Sequence, residues 1–355
     1  MISFSYTEEQ NIARRAVGDF AEFQAKPAAR AADEVSAFSA DLMKAAWDLG
    51  LVQTAAAGEA PHQPCVLNAL VIKEAAYGDA TLAAALAAPL GFVRAVATCG
   101  SAEQKRRWLP GFAGEAPRFA AVAHAEAGWL HRLAGKTRAR RTASGWRIDG
   151  VKANVPLAAQ CAAFVISALA DDGLRAFIAP ASTDGLRVAK ATGSLGLRAL
   201  QMADVVLENV IVPDEDMLPG DPRRLIDASR VALSALLSGL ARCVYDYALP
   251  YAKQRVVHGE AISRKQAVAF KLADMHIAAQ AMRWMSLRAA YELDAGLSAT
   301  RSASLARRYA AEQGMKIADE GVQLFGGHGF MRDMPLEMWY RNARSLSVLD
   351  GLVGV

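Results

Sequence analysis

The sequence predicts a mainly helical protein with an inserted β domain. Apolar residues recur at helical spacing up to residue 110, β-rich runs separated by turn residues follow up to Pro222, and long helical stretches fill the remainder. We therefore expect an N-terminal helical domain over residues 1–117. A middle antiparallel β-barrel-like domain should cover 118–222, and a C-terminal four-helix bundle should cover 223–355.

The N-terminal region, residues 7–110, is rich in alanine and has apolar residues three and four positions apart. Leu42, Ala45 and Leu49 form one such series, which Gly50 closes. This spacing places apolar side chains on one face of a helix, and glycine is a common helix stop. The region should therefore consist of packed helices.

The middle region changes to short β-rich runs at residues 162–168, 174–179 and 205–212. Asp-Gly pairs at 172–173 and 184–185 are typical of tight turns between strands. Helical spacing then returns over the stretches 223–249, 265–293 and 299–324. Their lengths and the short loops at 257–263 and 326–335 favour a four-helix bundle.

The composition favours a globular protein and excludes several classes. Of the 355 residues, 53% are hydrophobic and 21% are charged, which fits a substantial core and further apolar surface buried against other subunits. The net charge of +4 is dispersed, and the basic clusters at 105–107 and 138–141 are short. We therefore expect solvated surfaces and no nucleic-acid partner.

Cysteine spacing and apolar runs indicate the compartment. The four cysteines, at positions 65, 99, 161 and 243, show no paired spacing, so we expect no metal site, no disulfide framework and a cytoplasmic location. The N-terminus does not resemble a signal peptide. The longest apolar stretch, 82–93, is closed by Arg94 and is too short for a membrane span.

Four stretches resemble the acyl-CoA dehydrogenase family, in the family's order along the chain. They are GSAEQKRRWLPGFAGE at 100–115, LGLRALQMADVVLENVIVPDEDML at 195–218, YAKQRVVHGEAISRKQAVAFKLADM at 251–275 and GVQLFGGHGFMRDMPLEMWYRNAR at 321–344. The resemblance implies FAD as cofactor, an acyl-CoA substrate, and electron-transferring flavoprotein as a partner.

Gly326, Gly327 and Arg255 are candidate diphosphate-binding residues. Glycines at a helix end let backbone amides approach a phosphate, although they also serve as a plain helix stop. Arg255, before a turn with glycine, suits a phosphate or is an ordinary surface charge. In the family, the equivalent positions bind the adenosine diphosphate half of a flavin held by the neighbouring subunit.

Three further side chains belong to the same candidate cofactor site. Gln266 and Gln323 have amide groups that suit adenine or ribose edges, and the resemblance places both at this site. His258 stands where the family usually has phenylalanine. The resemblance therefore implies a nucleotide site with one altered residue.

Asp227 and Arg230 are the candidate substrate-binding residues. Three positions apart on a helix, they lie on one face and could be an ordinary surface pair. The resemblance implies that they contact the CoA part of the substrate.

Asp350 is the candidate catalytic base, because it aligns with the family's catalytic glutamate. Its side chain is one methylene shorter than glutamate, and an aspartate before Gly351 is also a common turn residue. The implied reaction is α,β-dehydrogenation, in which a carboxylate removes the α-proton and the β-hydrogen leaves as hydride to the flavin.

The segment expected beside this chain's own flavin ring departs from the family. Where the family usually has a tryptophan, an aliphatic residue and a threonine, this chain has Asn154, Val155 and Pro156. The loop over residues 124–131 keeps Glu126 and Gly128 but lacks the family's hydroxyl side chains.

Two hypotheses follow from the resemblance and its departures. The first is a FAD-dependent acyl-CoA dehydrogenase, or a subunit of one. The second is a non-catalytic partner subunit that completes a neighbour's FAD site. Either would be a homo-oligomer or a hetero-oligomer with a related chain. Other flavin chemistry on the same fold stays open at this point.

Overall fold

The structure is a computed structural model. It describes residues 5–58, 64–127 and 135–349. Helices come first, a sheet follows, and helices return, as the sequence predicts. The division into domains at residues 117 and 222 stays a prediction.

Seven helices form the N-terminal region of the described chain. They are α1 (Glu8–Phe20), α2 (Lys26–Val35), α3 (Ala40–Trp47), α4 (Leu51–Ala57), α5 (Pro64–Gly78), α6 (Ala80–Cys99) and α7 (Ala102–Trp108). Thr7 caps α1 and Ser101 caps α7. In both cases the hydroxyl accepts a hydrogen bond from the backbone N–H three residues later. The residue there is a glutamine, whose side-chain oxygen accepts the backbone N–H of the capping residue. These reciprocal bonds satisfy amides that a helix start leaves open.

Helix α6 is the central helix of this region. Its mean hydropathy reaches 1.7, so that by length and composition alone it could cross a membrane, but 89% of that window is buried inside the protein. The expectation that this stretch is too short is wrong, since the helix continues past Arg94 to Cys99, and Arg94 itself is only 8% exposed. The helix is therefore a core helix that contains a buried cation.

The middle region folds into one seven-stranded sheet. Its strands are β1 (Phe119–Ala123), β2 (Arg138–Thr142), β3 (Gly145–Val155), β4 (Cys161–Ala170), β5 (Gly173–Pro180), β6 (Leu186–Val188) and β7 (Ala203–Val212). Their order is β1-β4-β2-β3-β7-β6, with β5 paired to β4.

The sheet is mixed and differs in this respect from the expected antiparallel arrangement. β4 runs parallel to β1, with Ala121 opposite Phe164, and meets β2 in parallel at one position, while the other pairings are antiparallel. Along the chain, β2 and β3 intervene between β1 and β4, so no hairpin forces those two strands to run in opposite directions. The run lengths and turns in the sequence carry no information on this pairing.

The C-terminal region contains four helices: α8 (Arg223–Gln254), α9 (Gln266–Asp294), α10 (Thr300–Phe325) and α11 (Leu336–Val348). Between α8 and α9 lies a small hairpin of β8 (Val256–Val257) and β9 (Glu260–Ala261). Helices α8, α9 and α10 start and end within a few residues of the predicted stretches. Gly239 of α8 lies against the backbone of α5, so the two helical regions share one core.

Candidate functional site

The ends of α8 and α10 meet at the protein surface. The rings of Tyr251 and Phe325, near these two ends, are stacked with centroids 3.8 Å apart. Arg255 follows α8, where its N–H donates to Tyr251 O at 2.8 Å, and Gly326 follows Phe325 directly. The stacked rings therefore bring the candidate arginine and the candidate glycines to the same part of the surface.

Gly326 and Gly327 leave their surroundings open. Gly326 has a φ of +58° and a ψ of −136°, a conformation that glycine adopts most easily. A Cβ atom added at either glycine would meet no atom within 4 Å. Gly329 differs, because a Cβ there would collide with the carbonyl of Val322. Gly329 thus serves close packing, whereas Gly326 and Gly327 present bare backbone.

The hairpin β8–β9 carries the remaining candidates. His258 lies at its tip with a φ of +53°. Ile262 N donates to Arg255 O at 2.8 Å, which returns the chain beside Arg255 just before Gln266 begins α9. We call six exposed residues the outer patch: Arg255, His258, Gln266, Gln323, Gly326 and Gly327.

The outer patch has the chemistry that a nucleotide diphosphate requires. Within the described residues, the side chains of Arg255 and Gln323 make no hydrogen bond or ion pair. A free guanidinium, free amides and open glycine backbone can together bind phosphate and polar base edges. Because these groups face away from the core, they suit a ligand shared with a second chain.

Asp227 and Arg230 face α10 in this chain. The buried carboxylate of Asp227 accepts a hydrogen bond from Thr300 Oγ1 at 2.7 Å, and burial raises its pKa. Arg230 is half-buried and donates from Nη1 to Ser304 Oγ at 2.9 Å. The first turns of α8 are thus held to the first turns of α10, and the role of the pair toward CoA stays a prediction.

The end of β3 holds the residues that replace the family's ring contacts. Asn154 has a φ of +55°, and its N–H donates to Asp204 Oδ1 at 3.0 Å. Val155 is fully buried, so its side chain packs in the core of the sheet. Pro156 has neither a hydroxyl nor an N–H to donate. Residues 154–156 therefore lack the hydroxyl donor that the resemblance leads us to expect here.

Models of three acyl-CoA dehydrogenase domains match the chain: the N-terminal domain at residues 7–116, the middle domain at 126–210 and the C-terminal domain at 223–354. A protein of Bacillus subtilis (strain 168) described as a probable acyl-CoA dehydrogenase is 30% identical over 370 residues, which cover 99% of this chain and 96% of that protein. The chain belongs to the acyl-CoA dehydrogenase family.

Solved structures agree with this assignment. Butyryl-CoA dehydrogenase from Megasphaera elsdenii has a TM-score of 0.86 and 25% identity, covering 98% of this chain and 95% of that one. A glutaryl-CoA dehydrogenase from Mycobacterium smegmatis in complex with FADH2 has a TM-score of 0.84 and 23% identity, covering 96% and 90%. At 23% identity, the second likeness shows the fold alone.

A buried polar cluster lies close to the family's ring segment, and sequence reasoning missed most of it. Lys152, 2% exposed, donates from Nζ to Glu126 Oε1 at 2.7 Å and to His124 O at 3.2 Å. His124 Nδ1 lies 2.6 Å from Ser167 Oγ. The sequence did contain a signal for the burial of Lys152. Lys152 follows Ile148 by four residues, so strand alternation places both side chains on the same face of β3.

The protonation states in this cluster follow from burial and pairing. Burial lowers the pKa of His124 to about 3, so the imidazole is neutral. Burial also lowers the pKa of Lys152 to about 8, against the attraction of Glu126. Burial would raise the pKa of Glu126, but Lys152 and neighbouring N–H donors hold it at about 2. Near neutral pH the cluster therefore contains one buried ion pair.

The candidate base, Asp350, lies outside the described residues, as does Gly128. The chain is anchored just before Asp350, however. The buried Arg307 of α10 donates from Nε to Leu349 O at 3.1 Å and from Nη2 to Ser347 O at 2.9 Å. Arg307 was not recognised from the sequence, because the carbonyls that it binds are 39 to 42 residues away along the chain. It fixes the backbone from which Asp350 continues.

Proposed function

We propose that this chain acts in FAD-dependent α,β-dehydrogenation of an acyl-CoA thioester, as the enzyme or as a subunit of it. The observation that carries the proposal is the outer patch, whose arginine and bare glycine backbone are open to a nucleotide diphosphate. Gln266 and Gln323 would bind the adenosine end of FAD. When bound, FAD accepts the β-hydrogen of the acyl group together with its electron pair.

This chain's own residues would bind the thioester and move the α-proton. Asp227 and Arg230 lie in the first two turns of α8, where we place the CoA moiety. Asp350 takes the α-proton onto a carboxylate oxygen, so the breaking C–H bond leaves its electron pair in the new double bond. Arg307 acts through the backbone, since it anchors the residue before Asp350. Electron-transferring flavoprotein is our proposed electron acceptor, by family likeness.

A second chain is part of this proposal. Helix α9 has exposed apolar side chains at seven-residue intervals. Their exposed fractions are 62% for Phe270, 63% for Ile277, 37% for Trp284 and 52% for Tyr291. Residues seven apart drift only about 20° around a helix, so the four side chains form one apolar stripe. An apolar stripe of this length suits burial against another subunit.

The second candidate function is a partner subunit without catalysis of its own. Pro156 and Asn154 favour it, since they remove the donor and the indole that the family places against its own ring. Such a chain would offer the outer patch to a neighbour's FAD while leaving its own ring site incomplete.

The absorbance spectrum separates the two candidates. The chain would be purified alone and after co-expression with a related family member, with the oligomeric state measured by light scattering. A yellow homo-oligomer that an acyl-CoA bleaches would establish the enzyme and exclude the partner-only role. A colourless chain that acquires flavin only with the second protein would establish the partner role.

Two variants test the assigned residues in whichever assembly holds flavin. Arg255→Ala should weaken FAD binding by roughly 10- to 100-fold, as expected for a lost charge-assisted contact to phosphate. Arg264→Ala, an exposed arginine in the same loop, is the matched control and should change nothing. If the chain is active, Asp350→Asn should retain flavin and lose bleaching, and unchanged bleaching would remove Asp350 from its role.

A further inference from the structure

Arg94 is a buried cation inside the most apolar helix of the protein. It is 8% exposed, and every other residue of α6 is uncharged. It borders a cavity of about 210 Å³ between α6 and α8. A charge in such a place is costly unless a partner compensates for it.

The described residues give Arg94 little compensation. Its Nη2 lies 3.7 Å from Cys65 Sγ, and its buried Nε has no hydrogen-bond partner. Burial raises the pKa of the Cys65 thiol to about 12, so the thiol is neutral and supplies no counter-charge. The guanidinium thus retains donors and a full charge beside an open space.

The other charged residues of the cavity are already engaged. Both carboxylate oxygens of Asp294 accept backbone N–H groups at the start of α5, from Cys65 at 2.9 Å and Val66 at 3.0 Å. Arg224 donates from Nη2 to Leu293 O at 3.0 Å. With two arginines and one aspartate among its lining residues, the cavity has a net charge of +1 and favours an anion.

The position of the cavity relates it to the proposed substrate site. Its α8 wall consists of Arg224, Leu225 and Ala228, within the same first turns as Asp227 and Arg230. Ligand pockets for drug-sized molecules measure about 300–1,000 Å³, so this volume suits a short acyl group and excludes an adenosine diphosphate. The remaining walls, such as Gly91, Ala95 and Val122, are apolar or small.

We propose that Arg94 binds the terminal carboxylate of a dicarboxylyl-CoA thioester. The inference rests on the proposed function, since it takes CoA to be held at the first turns of α8. The planar guanidinium would pair with the carboxylate through Nε and an Nη atom, which gives the buried charge its missing partner. The methylenes of the acyl group would lie against the small side chains of α6.

Binding of matched thioesters tests the proposal. Calorimetry on the purified assembly with excess FAD would compare succinyl-CoA with butyryl-CoA, glutaryl-CoA with pentanoyl-CoA, and adipyl-CoA with hexanoyl-CoA. For at least one chain length, the dicarboxylyl thioester should bind at least about tenfold more tightly, as expected for a charge-assisted pair. Equal or weaker binding of the dicarboxylyl thioester in all three pairs would overturn the proposal.

Variants assign the preference to Arg94. Arg94→Leu should abolish the preference while binding the monocarboxylyl thioesters as well as before, which also shows that the variant is folded. Arg94→Lys should retain part of the preference, because lysine keeps the positive charge but lacks the planar pair of N–H donors. Arg187→Leu, an exposed arginine on β6 that does not line the cavity, is the control and should retain all of it.

The outcomes separate this inference from the proposed function. If both members of each pair bind equally and Arg94→Leu changes nothing, the carboxylate site is refuted while acyl-CoA binding stands. If none of the six thioesters binds, the proposed function fails and this inference fails with it.

Discussion

The buried ion pair between Lys152 and Glu126 provides a quantitative prediction. Among the described residues, Glu126 is the one negative charge hydrogen-bonded to the Lys152 ammonium, which is 2% exposed, and Glu126→Gln removes it. The cost has an upper limit, because Lys152 can release its proton. In the folded protein the pKa of Lys152 is about 8, so neutralising it at pH 7 costs only about 1.4 kcal/mol, at roughly 1.4 kcal/mol per pH unit. The lost charge-assisted hydrogen bond adds about 1 kcal/mol, and we therefore expect a loss of about 2–3 kcal/mol at pH 7.

The pH dependence identifies the cause of this loss. A lysine whose pKa is lowered in the folded state binds fewer protons than in the unfolded state, so stability rises with pH between its folded pKa and 10.5. At pH 9, above the folded pKa of about 8, Lys152 is largely neutral in both proteins. The difference between Glu126→Gln and the natural protein should therefore shrink by about 1 kcal/mol between pH 7 and pH 9.

Lys152→Met is the complementary change and should cost less than Glu126→Gln at pH 7. The Glu126 carboxylate would keep its hydrogen bonds from the backbone N–H groups of Lys136 and Thr137. A carboxylate with two donors is better compensated than an ammonium with neutral acceptors, and we expect a loss of about 1–2 kcal/mol. The double variant should lose less stability than the sum of the losses of the two single variants.

Hydrogen exchange measures the effect at the strand itself. Protection of the peptide 146–155, corrected for intrinsic exchange rates, would be compared at pH 7 and pH 9 for each variant. Glu103→Gln, in an exposed ion pair with Arg106, is the control and should have almost no effect. Equal losses at both pH values for Glu126→Gln, or a larger loss for Lys152→Met, would refute the reasoning.

Two further predictions concern the helical core. Burial raises the pKa of Asp79, the residue that caps α6, from 3.8 to about 6. Between these pH values the folded state binds more protons than the unfolded state. The free energy of unfolding should therefore fall by on the order of 3 kcal/mol as pH rises from 3.8 to about 6. Asp79→Asn should flatten this dependence in urea unfolding at pH 4.5 and pH 7, and a variant less stable than the natural protein at pH 7 would contradict it. Gly239→Ala should cost about 1–3 kcal/mol, because the new Cβ would collide with Lys73 O and lie 2.8 Å from the Ala76 side chain. Gly18→Ala, with no atom within 4 Å, should instead stabilise helix α1 in thermal unfolding, and equal effects of the two changes would refute the packing argument.

The fold could be predicted from the sequence because its signals are local. Helical spacing placed α8, α9 and α10, and turn residues placed β4, β5 and β7. The parallel pairing of β1 with β4 was not predicted, since neither strand contains information about its partner. The extent of α6 was also misjudged, because a charged residue such as Arg94 normally marks a surface.

In the candidate site, too, local sequence signals were informative and contacts between distant residues were not. The residues of the outer patch lie in sequence motifs and are exposed in the structure, and their role toward FAD stays a prediction. The buried groups could not be predicted, because Lys152 meets Glu126, and Arg307 meets the end of α11, across 26 and about 40 residues. The roles of Asp227, Arg230 and Asp350, and a cytoplasmic location, stay predictions.

The burial of α6 has a consequence for how the chain folds as it is synthesised. The helix is complete at Cys99, yet one of the elements that cover it is α8, which begins only at Arg223. Until α8 emerges, the side of α6 that faces it has no permanent cover, although its hydropathy would suit a lipid bilayer. The last region to be made thus completes the core of the first, so the N-terminal helices depend on the C-terminal bundle for their final packing.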